Sequence, residues 1–191
     1  MFLNRFNPAD YGGIIEELID LQRLNELGQG HPNIKMLSKL ESVDIAQMFR
    51  SNNIKDQNFA QACVAGLWLH HDFLDQSHTI SQTILNNTGS YWHGIMHRRE
   101  GDFWNSKYWF RQVGNHPVSV TLLDAIKNNN QLENNLDNTL IESSSWDPYR
   151  FVDLVEKYSG QNNTTENILK EIQRLEWQLL FDYSYKKAIG V

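Results

Sequence analysis

Asn58-Phe59-Ala60-Gln61-Ala62-Cys63-Val64-Ala65-Gly66-Leu67-Trp68-Leu69 is the stretch whose reading decides the fold. Wound at about 100° per residue it is apolar on nearly every side, and a helix without a polar face must lie among other helices. It runs straight into a polar segment, His70-His71-Asp72-Phe73-Leu74-Asp75-Gln76-Ser77-His78. A central helix that delivers such a segment places the probable site of function next to it, between His70 and His116.

Outward toward the N-terminus, Ile14, Leu18, Leu21 and Leu24 recur at helical spacing and Gly28 supplies a stop, which predicts a helix over 14–27. A loop, Gly28 to Asn33, follows. Ser42 reads as the cap of a second helix through Ile45, Met48 and Phe49. Toward the C-terminus, Asn86-Asn87-Thr88-Gly89 reads as a turn and Ser90 as the cap of a helix through Trp92 to Glu100, ended by Gly101. Further helices are predicted over 106–113, after Pro117, and from the Asp147-Pro148 cap to about Gly160. Thr164 or Thr165 caps a last one that runs to about Lys187. Residues 128–138 carry six asparagines and read as a weak helix or a mobile connection. No strand signal and no repeat period stands out, so the expectation is all-α: a single domain over 1–191 with eight to ten helices.

Composition narrows the function classes. A chain of 191 residues that is 40% hydrophobic can bury a real core, and a formal charge of −6 argues against a nucleic-acid partner. Cys63, alone and within an apolar run, reads as a buried inert thiol. Residues 1–8 hold no apolar leader and no stretch approaches a membrane span, so a cytoplasmic location without a membrane partner is expected. Asn-x-Thr triplets at Asn86 and Asn162 read as turn and cap residues rather than glycan acceptors.

Six of the seven histidines and four of the six tryptophans fall between residues 68 and 116. A continuous helix would put His71, Asp75 and His78 on one face, and the same spacing aligns His93, His97 and Glu100. Two faces, each with two imidazoles and a carboxylate, suit a divalent first-row ion such as zinc, iron or manganese. The zinc-protease pattern is absent, since Gly94 stands where its glutamate would be. The bland alternative is that these histidines make hydrogen bonds at helix ends beneath tryptophans.

Arg98, Arg99, Lys107 and Arg111 make this stretch locally basic, and Trp104, Tyr108 and Trp109 offer stacking surfaces, a chemistry that fits a small anionic ligand. Against that, Arg98 and Arg99 can instead pair with Asp72, Asp75 or Glu176 to lock helices together. On the last helix Ile168, Leu169, Ile172, Leu175, Leu179, Leu180 and Tyr183 form an apolar stripe with Glu176 inside it. A carboxylate there needs a partner, and the expectation is that Glu176 faces the histidine segment. No serine elbow, dinucleotide fingerprint or P-loop is present, and nothing in the spacing selects haem.

The strings Leu69 to Gln82, Gly89-Ser90-Tyr91-Trp92-His93-Gly94-Ile95-Met96-His97-Arg98-Arg99-Glu100, Asn105 to Arg111, His116-Pro117, Trp146 to Asp153 and Glu176-Trp177 together resemble an uncharacterised family of bacterial and fungal proteins. The likeness covers most of the chain from Gly28 onward and implies no catalytic role for any residue. Two readings therefore stand. One is a metal-assisted enzyme, hydrolase-like, with His71, His78, His93 and His97 as ligands, Asp75, Glu100 and Glu176 as ligand or general base, and Arg98, Arg99, Lys107, Arg111 and Trp109 on the substrate. The other is a non-catalytic helical binding module whose same residues form a buried polar network.

Overall fold

The structure is a computed structural model that describes residues 6–49, 54–133 and 145–191. After a 3₁₀ turn at Pro8–Asp10 come α1 (Gly13–Leu18), α2 (Ile34–Glu41), α3 (Ile45–Met48), α4 (Gln57–His70) and α5 (Leu74–Ser81). They are followed by α6 (Asn87–Glu100), α7 (Phe103–Val113), α8 (Pro117–Lys127), α9 (Asn130–Glu133), α10 (Pro148–Tyr158) and α11 (Thr164–Ile189). The fold is all-α, and no strand occurs among the described residues. No helix among them is long and apolar enough to cross a membrane.

Helix α4 lies where its composition puts it. Asp56 caps it by accepting from the N–H groups of Asn58 and Phe59, and Ala62 through His70 are all buried. It packs on α5, α6 and α11. Gly66 permits a close approach to α6, because a Cβ there would stand 2.8 Å from the Trp92 ring. The Gly66 carbonyl also accepts from Trp177 Nε1 of α11 at 2.8 Å. The long α11 spans two apolar clusters: Leu180 and Phe181 belong to the first with α1 and α4, and Leu169 and Ile172 to the second with α8 and α10.

Helix α6 is enclosed as fully as α4, with every residue from Thr88 to Arg99 buried, yet much of it is polar. Each of those groups then needs a partner. Trp92 Nε1 donates to Ser184 of α11, and Arg98 Nη2 donates to Glu176 Oε2 of α11 at 2.5 Å, neither side chain reaching solvent. The Arg98 guanidinium carbon also lies 4.6 Å from the Phe151 ring centroid. Arg99 pairs with Asp72 and donates from Nε to the Gly28 carbonyl.

Several expected boundaries move. The periodicity over 14–27 does not make one helix: α1 stops at Leu18, and Leu21 and Leu24 are exposed. The segment after α1 instead serves the end of α4. Arg23 and Asn25 donate to the His70 carbonyl, Asn33 N–H donates to that of His71, and the last-turn carbonyls of α4 are thereby satisfied. Ser42 closes the unforeseen α2, and Asp44 rather than Ser42 caps α3. Asn86 rather than Ser90 caps α6, α7 starts at Phe103 rather than Ser106, and Asn163 rather than Thr164 or Thr165 caps α11. Of the asparagine-rich 128–138 stretch, Asn128 closes α8, Asn130–Glu133 is helical, and 134–138 lie outside the described residues.

The sharpest departure is between α4 and α5. Asp72 takes φ 62, a left-handed conformation unusual for a residue with a side chain, and the helix breaks there. Its buried carboxylate accepts from Arg99, Arg23 and Asn25, which hold the turn in place. Asp72→Asn should cost about 3 kcal/mol or more of stability, because two arginines lose their shared counter-charge in a site with little water. Denaturant unfolding with an unchanged midpoint would exclude this.

Two buried histidines tie stability to pH. His116 accepts from Val118 N–H at Nδ1, so its Nε2–H donates to Thr88. Burial lowers its pKa from 6.5 to about 4. His70 accepts from Asp20 N–H, and burial, then His71 and the arginines Arg23 and Arg99, lower it from 6.5 to about 3. Below pH 6.5 the unfolded chain binds protons that the folded chain refuses, so this stability is full above 6.5 and falls as the pH drops through about 4 and about 3. Urea midpoints measured from pH 7 to 4 should decline, and His116→Asn, which keeps a cap acceptor, should flatten part of the slope.

Candidate metal centre

The centre is assembled by α5, α6 and α7. On α6, His93 and His97 stand one turn apart on the same face, and Glu100 follows three residues later. His78 arrives from α5, its ring centroid 4.7 Å from that of His93 and 5.3 Å from that of His97. The three imidazoles each offer a nitrogen, and these atoms all lie within 4.8 Å of one another, close enough to hold a metal ion. His93 and His97 are buried and His78 is half-buried, so the cluster meets the surface on the α5 side.

Hydrogen-bond accounting defines the tautomers. Glu100 Oε2 lies 3.0 Å from His97 Nδ1 and, as a carboxylate, accepts its proton. The lone pair of His97 is therefore on Nε2, which faces His93 Nε2 at 2.9 Å. A histidine with a carboxylate behind it and a free lone pair in front is the arrangement that orients metal-binding imidazoles. Trp109 of α7 lies on the His93 ring at 4.0 Å, with planes 21° apart. His93 Nδ1 is buried without a hydrogen-bond partner, so the Trp109 stack and the Nε2 contact with His97 hold that ring.

Both α6 imidazoles are kept neutral, the form that binds metals. Burial, then the proximity of His97 and His78, lowers His93 from 6.5 to about 3. Burial also lowers His97, with Glu100 pulling the other way.

The connection from α6 to α7 closes the site from the remaining side. Gly101 takes φ 90, its N–H donates to Arg98, and Asp102 N–H donates to His97, which turns the chain through a compact helix C-cap. Asp102 then caps α7 by accepting from Asn105 N–H at 3.1 Å. Asn105 is thereby folded back over His97, with Nδ2 3.1 Å from His97 Nε2.

The anticipated residues divide. His78, His93, His97, Glu100 and Trp109 come together. His71 does not, because the break at Asp72 takes it off the α5 face; its Nε2–H donates to the Leu18 carbonyl at 2.7 Å and its Nδ1 accepts from Asn33. Asp75 is exposed on the first turn of α5. Glu176 has a partner, as a carboxylate inside an apolar stripe requires, but that partner is Arg98 and the pair is sealed inside the core. Arg99 is likewise committed to Asp72. Lys107 pairs with Asp153 of α10. Arg111 is exposed, 6.0 Å from the Tyr108 ring. Tyr108 and Trp104, near-parallel and exposed, line the outer face of α7. Asn105 was given no role in the sequence reading, where it stood only at the head of the string Asn105 to Arg111; Gly101 marks the corner that brings it back.

Comparisons with protein-family models, curated proteins and solved structures found no match, so the reading of this centre rests on its geometry.

Trp109→Ala should admit water to His93 and raise its pKa from about 3 toward 6.5, read as an NMR titration of its ring protons. A His93 resonance that still fails to titrate above pH 4 would show that Trp109 is not what excludes water.

Proposed function

We propose that this protein is a metal-dependent enzyme, hydrolase-like, in which His78, His93 and His97 hold a divalent zinc, iron or manganese ion. The observation that carries the reading is the convergence of three imidazole nitrogens within 4.8 Å, with Glu100 bound behind His97. Three histidine ligands beside the surface are a donor set that leaves a coordination position for another molecule, as catalytic sites require. An ion held there supplies Lewis acidity toward a carbonyl or phosphoryl oxygen.

The chain's own residues divide the remaining work. Glu100 fixes the His97 tautomer and strengthens its Nε2 as a donor. Trp109 presses His93 into place and keeps water from its inner face. Asp75, exposed one turn before His78, is the carboxylate available as a general base, and Glu176 is withdrawn from that role by its burial against Arg98. Arg98 and Arg99 are enclosed and Arg111 lies against Tyr108 on the outer face of α7, so none of the three arginines is available to a substrate at the histidines.

Elemental analysis of the purified protein tests the reading. About one equivalent of a first-row metal is expected, lost in the His93→Ala, His97→Ala double variant and on dialysis against chelator. Metal-free protein whose thermal unfolding is indifferent to added zinc, iron and manganese would instead favour the enclosed polar network as a non-catalytic module.

A further inference from the structure

On the far side of α6 from the histidines lies a second opening. Ile95 and Arg99 follow His93 and His97 by two positions, about 200° around the helix, so they face away from the metal centre. They line a cleft between the irregular segment after α1 and the face of α11 that carries Lys170, Arg174, Trp177 and Gln178. The cleft measures about 470 Å³ including its open mouth, and Arg23, Leu69 and His70 also line it.

Three donors in this lining have no acceptor among the described residues. His70 Nε2 accepts from Asp20 N–H at 3.2 Å and the ring is neutral, so its proton is on Nδ1 and goes unused. Arg99 spends Nε on the Gly28 carbonyl and Nη2 on Asp72. Arg23 spends Nε on the His70 carbonyl and Nη2 on Asp72 and the His31 carbonyl. The Nη1 group of each arginine is left over. Both guanidiniums lie near enough to the His70 ring to lower its pKa, so the three donors share one end of the cleft.

Charge points the same way. Two arginines share the single carboxylate of Asp72, which leaves one positive charge in excess where little water reaches. At the rim, Lys170 with Glu26 and Glu166, and Arg174 with Glu171, add no positive surplus, and Asp20 is exposed. The excess is thus confined to the arginine end. Beside it the surface is apolar, made by Leu69, Ile95 and Trp177, whose ring lies 4.7 Å from that of His70.

We propose that this cleft binds a small monocarboxylate with a short apolar tail, the carboxylate accepting from His70, Arg23 and Arg99 and the tail lying on Trp177, Leu69 and Ile95. A carboxylate brings the acceptors that these donors lack and one negative charge against the surplus. A phosphate dianion overshoots that charge and has no apolar part. The site is separate from the histidine centre and does not depend on its metal.

Isovalerate is the probe, titrated against the protein with isovaleramide and inorganic phosphate as comparisons. The Trp177 indole N–H and the His70 ring protons report binding by NMR. Isovalerate is expected to shift both saturably at one site per chain, and isovaleramide and phosphate to bind at least roughly tenfold more weakly. Gln178 lines the cleft, is half-buried and makes no hydrogen bond to the described residues, so Gln178→Glu sets a carboxylate there without removing a contact of the fold. It is expected to weaken isovalerate severalfold with an unchanged unfolding midpoint. His70→Phe, which keeps a ring on Trp177 and removes the donor, is expected to lose most of the preference for isovalerate over isovaleramide; if it fails to fold, Gln178→Glu carries the test. The folded His93→Ala, His97→Ala double variant is expected to bind isovalerate as wild type does. Shifts that do not saturate, isovaleramide or phosphate binding as tightly as isovalerate, or an affinity unmoved by Gln178→Glu overturn the assignment. Binding lost in the double histidine variant also overturns it, and moves the ligand to the histidine centre.

Discussion

A single buried carboxylate, Asp72, is the constraint on which the rest of this structure turns. It sits in a left-handed backbone conformation that costs energy for any residue with a side chain. Arg23 and Arg99 approach it from different parts of the chain and hold it there. Because α4 breaks at that point, α5 sets off in a new direction and carries His78 toward α6. Had the helix run on, His71, Asp75 and His78 would share a face; the break takes His71 off it and leaves His78 to meet His93 and His97. The same two arginines anchor the irregular segment after α1 and the Gly28 carbonyl, so the N-terminal third of the chain is joined to α6 through them.

Helix α6 makes the second demand. A helix buried along almost its whole length is normally apolar, and this one carries His93, His97, Arg98 and Arg99. Each side has its own solution: Glu176 for Arg98, Asp72 for Arg99, Glu100 and the neighbouring imidazoles for the histidines. Removing one member leaves another group buried and unpaired, which costs more than a surface pair ever contributes. The helix thus specifies which element may lie against each of its sides, and α5, α7 and α11 are sorted accordingly.

Sequence patterns foretold some of this well. Helix α4 was legible because its apolar residues leave no polar face, and the alignment of His93, His97 and Glu100 was legible because spacing within an unbroken helix determines geometry. The same logic failed at Leu21 and Leu24, whose spacing imitates a helix although both are exposed; the side chains of Arg23 and Asn25 there satisfy the end of α4. It failed again at His71, since nothing local marks Asp72 as a left-handed residue, and the arginine that helps to hold it lies 49 positions away. The caps slipped for a milder reason. Asn86 and Asn163 precede serine or threonine residues that would cap equally well, and tertiary packing chose between them. Asn105 was invisible because its meaning comes from the turn before it.

The corner at Gly101 and Asp102 also bears on how the molecule comes together. Every side chain of the histidine centre is contributed between residues 78 and 109, by three helices joined through short connections. The Arg98–Glu176 pair must close a loop of 78 residues. Short loops close at less entropic cost and faster than long ones. The centre is therefore a local product of the chain, whose closure costs less entropy than the docking of α11 on α6.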